Sequence, residues 1–313
     1  MRATEEQVGA ELRAVLGDEG VLEREPLAGH TTFRIGGPAR WLVMPSGEDE
    51  VRAVVLACRR LGWPWRVLGL GSNVLAADEG LDEVVVKLAD RFSHIEVQME
   101  AAACGGVVFA EAGATNAEVA EVACAAGLAG YEFASGIPGT VGGAAVMNAG
   151  AYGGEFADVA VAVRCLTPEG DVVDVPAAEA AWGYRTSLMM ERGYVVLGAT
   201  LRLTADDPAA IRARMEDLAR RREEKQPLDL PSAGSTFKRP EGHFAGKLIQ
   251  DAGLQGVSVG GAQVSTKHAG FVVNVGDATA ADVLGLIAQV RERVREQSGV
   301  TLEPEVRLWS RGE

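Results

Sequence analysis

The chain has 313 residues, 47% hydrophobic and 24% charged, a balance typical of a folded protein of one to three compact domains. Its 30 basic and 44 acidic residues give a formal net charge of -14, which opposes binding to nucleic acids and anionic membrane surfaces. Glycine is abundant, at 39 residues, yet it follows no Gly-X-Y period, so a collagen-like chain is excluded.

The N-terminal residues predict a short acidic helix. They lack the basic-then-apolar order of a signal peptide, so we expect a cytoplasmic protein. The cysteines form no C-x-x-C pair and no cluster with histidines, so we expect no metal site and four buried, reduced thiols: Cys58, Cys104, Cys124 and Cys165. The longest uncharged run, 133–154, contains seven glycines and indicates loops rather than a membrane span.

The first third of the chain alternates strands with a helix. After a strand near 40–45, Ser46 is predicted to cap a helix whose apolar residues recur at helical spacing to residue 61. A strand at 65–68 ends in a glycine turn, and a β-branched run follows at 84–88. Strand, helix and strand in this order indicate an α/β beginning.

The middle of the chain predicts mixed sheets with inserted helices, an α+β (mixed α/β) class. Thr115 and Glu118 form a capping box for a helix that ends near Gly127. Strands are predicted within 94–114 and at 159–167, 171–175 and 194–204.

A strongly charged helix is predicted from Asp207-Pro208 to about residue 225, with its charges on a solvated face. Because it lies between two glycine-rich halves, we place a domain boundary near 204–228. A smaller α/β unit then follows, with helices at 245–253 and 279–298 and strands at 271–275 and 302–309.

Two glycine motifs indicate ligand binding. Gly69-Leu70-Gly71-Ser72-Asn73 follows a strand and could cradle a phosphate, but it lacks the third glycine and the immediate helix of a Rossmann fingerprint. A tight turn between strands is the alternative. The second motif lies in 127–154, which holds nine glycines together with apolar residues that favour burial over a mobile surface loop. Together the motifs suit a long ligand with a diphosphate and a ring system, either FAD or a nucleotide sugar.

A third set of residues is dispersed: Tyr184-Arg185, the segment 234–238, and the segment 303–307. Singly, each has an ordinary interpretation as a surface arginine, a turn serine or a paired strand carboxylate. Glu305, predicted to lie in the terminal strand, is a candidate only if its carboxylate has a partner.

Taken in order, eight motifs resemble the UDP-N-acetylenolpyruvoylglucosamine reductase family. They are 31–37 (TTFRIGG), 70–75 (LGSNVL), 136–143 (GIPGTVGG), 147–153 (MNAGAYG), 184–185 (YR), 234–238 (GSTFK), 267–271 (KHAGF) and 302–307 (LEPEVR). The resemblance covers almost the whole chain.

This resemblance implies a vanillyl-alcohol-oxidase/PCMH-type FAD-binding fold of two subdomains, at 1–80 and at 81–204 rejoined by about 300–313. The third part, 205–299, would contain the linker helix and the domain that receives the UDP-sugar. The implied reaction is the reduction of UDP-N-acetylglucosamine enolpyruvate to UDP-N-acetylmuramate in peptidoglycan precursor synthesis, with NADPH and FAD as cofactors. A monomer is expected.

The resemblance also implies roles for single residues. Ser235 would donate a proton to C2 after hydride transfer to C3, and Arg185 and Glu305 would stabilise the enolate-like intermediate. The expected FAD contacts are Gly69, Gly71, Ser72, Asn73, Val74, Leu75, Ser135, Gly136, Ile137, Pro138, Gly139, Val141, Gly142, Gly143, Ala144, Asn148, Gly150 and Ala151. The expected substrate contacts are Tyr152, Tyr184, Lys238, Arg239, Gln263 and Arg307.

The chain departs from the family pattern at two positions, with Arg239 where the family often has Asn and Gln255 where it often has Lys. Only 49 residues separate Arg185 from Ser235, which resembles the shorter class without an inserted tyrosine-bearing loop, so Tyr152 is a candidate to cover the substrate. Two other functions stay open: an FAD-dependent oxidase of another substrate, and a catalytically silent nucleotide-sugar binder.

Overall fold

The computed structural model describes residues 3–100 and 105–311. The helices there are α1 (Glu5–Leu16), α2 (Glu48–Leu61), α3 (Asn116–Ala125), α4 (Val141–Met147), α5 (Phe156–Val159), α6 (Leu188–Arg192), α7 (Pro208–Lys225), α8 (Ala245–Asp251) and α9 (Ala280–Ser298). The strands are β1 (Val21–Pro26), β2 (Pro38–Val43), β3 (Trp65–Leu68), β4 (Val74–Ala76), β5 (Leu81–Lys87), β6 (Ile95–Glu100), β7 (Gly105–Glu111), β8 (Leu128–Ala129), β9 (Gly150–Ala151), β10 (Gly154–Glu155), β11 (Ala160–Leu166), β12 (Val172–Pro176), β13 (Val195–Ala205), β14 (Ser232–Ser235), β15 (Ser258–Val259), β16 (Ala262–Val264), β17 (Phe271–Asn274) and β18 (Arg307–Trp309).

The density of internal contacts divides the chain into two compact units. Unit 1 is Met1–Leu22, Trp41–Gly69 and Glu83–Arg222, and unit 2 is Glu23–Arg40, Leu70–Asp82 and Glu223–Glu313. The three-part division expected from the sequence does not coincide with these units, and it stays a prediction.

The main sheet of unit 1 has six strands and is antiparallel, in the order β12-β11-β13-β7-β6, with β8 paired to one end of β13. In β13 alone, Leu197, Ala199, Leu201 and Leu203 are buried at every second position, as the alternation of a strand requires. Helix α3 begins at the predicted capping box of Thr115 and Glu118, which is confirmed.

Strands β1, β2, β5 and β3 form a four-stranded sheet in that order, in which β3 and β5 run parallel. Helix α2 begins one residue later than the sequence suggested. Gly47 is its N-cap, while the N–H and hydroxyl of Ser46 both donate to the Glu50 carboxylate, so the prediction that Ser46 caps this helix is wrong.

Unit 2 contains an antiparallel sheet in the order β14-β17-β16-β15. Helix α9 buries one apolar face at helical spacing, made of Val283, Leu286, Ile287, Val290 and Val294. Strand β18 pairs in parallel with β4, Arg307 opposite Val74. The predicted strand 302–309 is therefore shorter than expected, and Glu305 precedes it.

The three cysteines that the structure describes, Cys58, Cys124 and Cys165, are buried free thiols, as predicted. Cys104 lies outside the described residues.

Helix α7 begins as predicted, because Asp207 Oδ1 accepts from the Ala209 N–H at 3.1 Å. Within the described ranges, no helix combines the length and the apolar character that crossing a membrane would need.

Candidate functional site

In unit 1, the second glycine motif is not only loop, because it contains helix α4. Thr140 is the N-cap of this helix, and the N–H groups of Val141 and Gly142 donate to the carbonyls of Ala114 and Ala112. A Cβ at Gly142 would lie 2.9 Å from the Cβ of Ala112, so glycine lets this helix approach the segment that directly follows β7. The sequence did not predict this helix because glycine is a poor helix former.

The two glycine motifs meet at Thr140. A Cβ on Gly69, which follows β3, would lie 2.6 Å from the Thr140 hydroxyl oxygen. Glycine is therefore required at position 69 because the backbone there packs against the Thr140 side chain of the protein itself. Gly136 and Gly143, by contrast, are exposed and leave bare backbone on the surface of the motif.

The segment from Ser135 to Gly139 is held from inside the protein by Asn116, the first residue of α3. Its amide donates to the Ile137 carbonyl at 3.3 Å, and its N–H donates to the Gly139 carbonyl at 3.1 Å. The buried Tyr131 hydroxyl donates to the Asn116 Oδ1 at 2.8 Å, and burial raises the pKa of Tyr131. The backbone of the motif is therefore preorganised.

Asn148 ends α4 in the left-handed conformation, with φ 44°. Its buried amide accepts from the Ala157 N–H at 3.0 Å and donates to the Gly183 carbonyl at 3.4 Å. Expected as an FAD contact, this side chain forms hydrogen bonds within the protein. Its effect is to join α4 to the turn that carries Arg185.

Arg185 lies in a two-residue turn between Gly183 and Thr186, which form a β-bridge. The turn is fastened to α4 on both sides. The Trp182 indole N–H donates to the Ala145 carbonyl at 2.8 Å, and the Ser187 hydroxyl donates to the Val146 carbonyl at 2.8 Å. The Arg185 guanidinium lies 5.2 Å from the centre of the exposed Tyr184 ring. The glycine-rich helix thus supports the candidate catalytic arginine.

Tyr152 lies in the tight hairpin between β9 and β10, also with a left-handed backbone, φ 54°. Its side chain is 45% exposed. A bulky residue in this conformation is a genuine outlier, and such outliers concentrate at functional sites.

In unit 2, the remainder of the first glycine motif also packs against the chain itself. Gly71 has φ 62°, and a Cβ there would lie 2.5 Å from the His30 carbonyl oxygen. The Asn73 amide donates to the Glu305 carbonyl at 3.2 Å, and the Asn73 carbonyl accepts from the Arg307 N–H at 2.9 Å. Val74 and Leu75 are buried in β4, and Ser72 is partly buried.

The structure places Ser235 and Glu305 next to one another along the backbone of Thr236. Ser235 ends β14 and is exposed, while the buried Thr236 donates its N–H to the Gly270 carbonyl and accepts the Glu305 N–H at its own carbonyl, 2.8 Å away. The Thr236 hydroxyl accepts from the Val272 N–H at 2.9 Å. Glu305 is partly buried. Arg185, the third candidate catalytic residue, belongs to unit 1.

The expected substrate contacts of unit 2 have various local partners. Lys238 Nζ lies 3.2 Å from the Glu303 carboxylate, and the Arg239 guanidinium lies 4.1 Å from the centre of the Phe244 ring. Gln263 donates to the Ser258 hydroxyl at 3.0 Å and lines a cavity of about 390 Å³ with Lys267.

Sequence reasoning missed the positioning residues. Asn116, Trp182, Ser187 and Thr236 hold the candidate segments, and each contacts a carbonyl or N–H remote in sequence. No local pattern signals such contacts. It also missed Arg222 at the end of α7, which lies against Gly136.

Two family models match the chain: "FAD binding domain" over residues 39–176 and "UDP-N-acetylenolpyruvoylglucosamine reductase, C-terminal domain" over residues 226–309. A UDP-N-acetylenolpyruvoylglucosamine reductase of Alkaliphilus oremlandii is 48% identical over 297 residues, which are 95% of this chain and 96% of that protein. The crystal structure of the Thermus caldophilus enzyme of this name is 37% identical, with a TM-score of 0.76, and covers 92% of this chain and 98% of its own.

An alkyldihydroxyacetonephosphate synthase is similar in fold alone, with a TM-score of 0.50, 16% identity, and coverage of 65% of this chain and 41% of that one. Together with the family models, these similarities confirm the predicted class, a mixed α/β chain with the vanillyl-alcohol-oxidase/PCMH-type FAD-binding fold and a further C-terminal domain.

Proposed function

Because the chain belongs to the UDP-N-acetylenolpyruvoylglucosamine reductase family, we propose that it reduces UDP-N-acetylglucosamine enolpyruvate to UDP-N-acetylmuramate with electrons from NADPH through FAD. The main structural support is the backbone hydrogen bond from the Glu305 N–H to the carbonyl of Thr236, the residue that follows Ser235. A cytoplasmic location and a monomeric state remain predictions from the sequence.

The residues present fit a flavin cofactor. Gly136 and Gly143 offer exposed backbone without a side chain, and Asn116 holds this segment from below. The FAD contacts expected from the sequence are Gly69 and residues within 135–151 in unit 1, and residues 71–75 in unit 2. When bound, FAD supplies the hydride chemistry that amino-acid side chains lack.

The side chains of this chain would manage the charge that hydride addition creates. Addition at C3 of the enolpyruvyl group pushes negative charge toward C2 and the substrate carboxylate. The planar guanidinium of Arg185 suits a bidentate pair with that carboxylate. The residue adopts a left-handed backbone conformation, φ 58°, in the turn that carries the side chain. Glu305 is the second group proposed to stabilise the enolate-like intermediate.

Ser235 is the proposed proton donor to C2. A serine hydroxyl is a weak acid, so it protonates only a strongly basic carbon, and only when it is positioned closely. The hydrogen bonds of Thr236 to Gly270, Val272 and Glu305 fix the strand end that carries Ser235. Tyr152, Tyr184, Lys238, Arg239, Gln263 and Arg307 are the proposed substrate contacts.

The proposal is tested first by NADPH oxidation with and without UDP-N-acetylglucosamine enolpyruvate. We expect oxidation that depends on this substrate and yields UDP-N-acetylmuramate. Oxidation at the same rate without it would contradict the reductase function and favour the oxidase. A colourless protein that added FAD does not restore would favour the silent binder.

Ser235→Ala separates the two half-reactions. We expect NADPH still to bleach the flavin absorbance, while product formation falls by about 100-fold or more because the proton donor is missing. Stopped-flow absorbance and product chromatography measure the two steps. Ser232→Ala, in the same strand, is the matched control and should behave as wild type. A variant with intact FAD that is no longer bleached by NADPH would contradict the role assigned to Ser235.

A further inference from the structure

Helix α7 carries five arginines, and four of them have carboxylate partners. The N···O distances are 2.6 Å for Arg212 to Glu121, 2.7 Å for Arg214 to Glu132, 2.5 Å for Arg220 to Asp217 and 2.6 Å for Arg221 to Asp217. The side chains of Arg212 and Arg214 lie on the solvated face, as predicted, and their ion pairs also join α7 to residues distant in sequence. The fifth arginine is Arg222.

Arg222 differs from its neighbours in both burial and pairing. Its Nε atom is buried, and among residues 3–100 and 105–311 it has no hydrogen-bond partner, nor does its guanidinium form an ion pair there. Burial lowers the pKa of Arg222, although nearby Tyr152 opposes this shift, and a guanidinium keeps its charge at any physiological pH. A partly desolvated cation that has no counter-charge among the described residues is unfavourable, so the site is suited to an anion.

The position of Arg222 indicates which anion. A Cβ added to Gly136 would lie 3.2 Å from Arg222 Cδ and 3.6 Å from Nη1, so the side chain lies across this glycine. Gly136 and Tyr152 both fall within the part of the chain, 39–176, that matches the FAD-binding domain model, whereas Arg222 lies outside it. The guanidinium therefore flanks the glycine segment proposed to hold FAD.

We propose that Arg222 pairs with the diphosphate of FAD. The planar fork of the guanidinium matches two phosphate oxygens, and pairing there would supply the counter-charge that the described part of the chain does not provide. Glycine at 136 lets the arginine side chain lie flat over the backbone. This inference rests on the proposed function. The phosphates of NADPH and of the UDP-sugar share the same chemistry, and the experiment separates these sources.

The test compares Arg222→Met with Arg221→Met. Methionine keeps the apolar stem that packs on Gly136 and removes the charge, while Arg221 is the adjacent, exposed, ion-paired control. FAD is titrated into the apoprotein by flavin fluorescence. We expect the Kd for FAD to rise about 10- to 100-fold for Arg222→Met, the range for loss of a charged hydrogen bond, and to stay within about twofold for Arg221→Met. The melting temperature of the apoprotein should be equal or higher for Arg222→Met, since a desolvated charge is removed.

Several outcomes would overturn the inference. An unchanged Kd for FAD would do so, as would a rise in the Kd for NADPH or UDP-N-acetylglucosamine without one for FAD, which would assign the phosphate to another ligand. A clearly lower melting temperature of the Arg222→Met apoprotein would indicate a structural role instead. If wild-type protein binds no FAD, the proposed function itself fails, whereas wild-type binding with an unaffected variant overturns only this inference.

Discussion

Three of the residues proposed for the site adopt left-handed backbone although none is glycine. The φ angles are 44° for Asn148, 54° for Tyr152 and 58° for Arg185. For a residue with a side chain, this conformation lowers the stability of the folded state by about 1–3 kcal/mol, so surrounding hydrogen bonds must maintain it. For Arg185 these are the bonds from Trp182, Asn148 and Ser187, which fix the turn on α4.

Arg185→Gly should separate strain from function. Glycine adopts the left-handed conformation freely, so we expect the free energy of unfolding to stay equal or to rise by up to about 1 kcal/mol. Turnover should fall by about 100- to 1,000-fold, because the group proposed to hold the developing negative charge is gone. Urea unfolding and steady-state kinetics measure the two effects. Arg185→Lys is the control. It keeps the charge without the planar fork and should show intermediate turnover. A strongly destabilised Arg185→Gly variant would contradict this account.

The polar side chains expected to contact FAD show where reasoning from sequence ends. Asn73, Ser135 and Asn148 all donate to main-chain carbonyls, those of Glu305, Glu132 and Gly183. Two of these partners are distant in sequence, and no local pattern identifies them. The sequence located the motif but did not show which of its side chains the protein uses for its own structure.

At the level of elements, local signals were sufficient where the cause is local. The capping box before α3 and the starts of α7 and α9 were predictable because each depends on residues within three positions of one another. Helix α4 was not, since its stability comes from contacts with Ala112 and Ala114 rather than from propensity. The shortened β18 has the same explanation, because β4 sets its length by parallel pairing.

The capping box of α9 should make stability depend on pH. Asp282 accepts from the Thr279 N–H at 3.0 Å, and this bond, together with one from Gly261, lowers the pKa of Asp282. A carboxyl whose pKa is lower in the folded state stabilises the protein above its unfolded pKa of about 3.9. This contribution is lost as the pH falls through the folded value.

Asp282→Asn should therefore lower the urea midpoint at pH 6, and the difference from wild type should shrink as the pH is lowered below about 4. Urea titrations at a series of pH values follow this change. Glu292→Gln removes another exposed carboxylate of α9 away from the cap and serves as the control. A difference that stays constant down to pH 2 would mean that the carboxylate charge is not what stabilises the helix start.

The net charge of the whole chain, -14, repels anionic ligands over most of the surface. We therefore expect the anionic ligands of this family to bind only at local cationic groups. Arg222 is such a group in unit 1. If FAD binds the folded unit and not the unfolded chain, it must stabilise that unit by about 2.7 kcal/mol at a free concentration 100 times its Kd. The buried thiols of unit 1 offer a way to observe this.

Cys58, Cys124 and Cys165 all belong to the hydrophobic core of unit 1. Burial raises the pKa of Cys58 and of Cys165 to about 12, so neither forms an appreciable amount of thiolate at pH 8 while folded. Labelling of these thiols therefore requires opening of the core. In a Cys104→Ser background, which removes the one cysteine outside the described residues, we expect FAD at 100 times its Kd to slow their labelling by about 100-fold when reclosing outpaces modification.

The same measurement on Arg222→Met, at the same FAD concentration, should show a smaller slowing, because less of the variant is bound. Free thiol is followed over time by absorbance of the released reporter, with a small-molecule thiol as the control for direct effects of FAD on the reagent. Rapid labelling of the native protein without FAD would show that the thiols are accessible. Slow labelling that FAD leaves unchanged would show that the cofactor does not stabilise the folded core of unit 1.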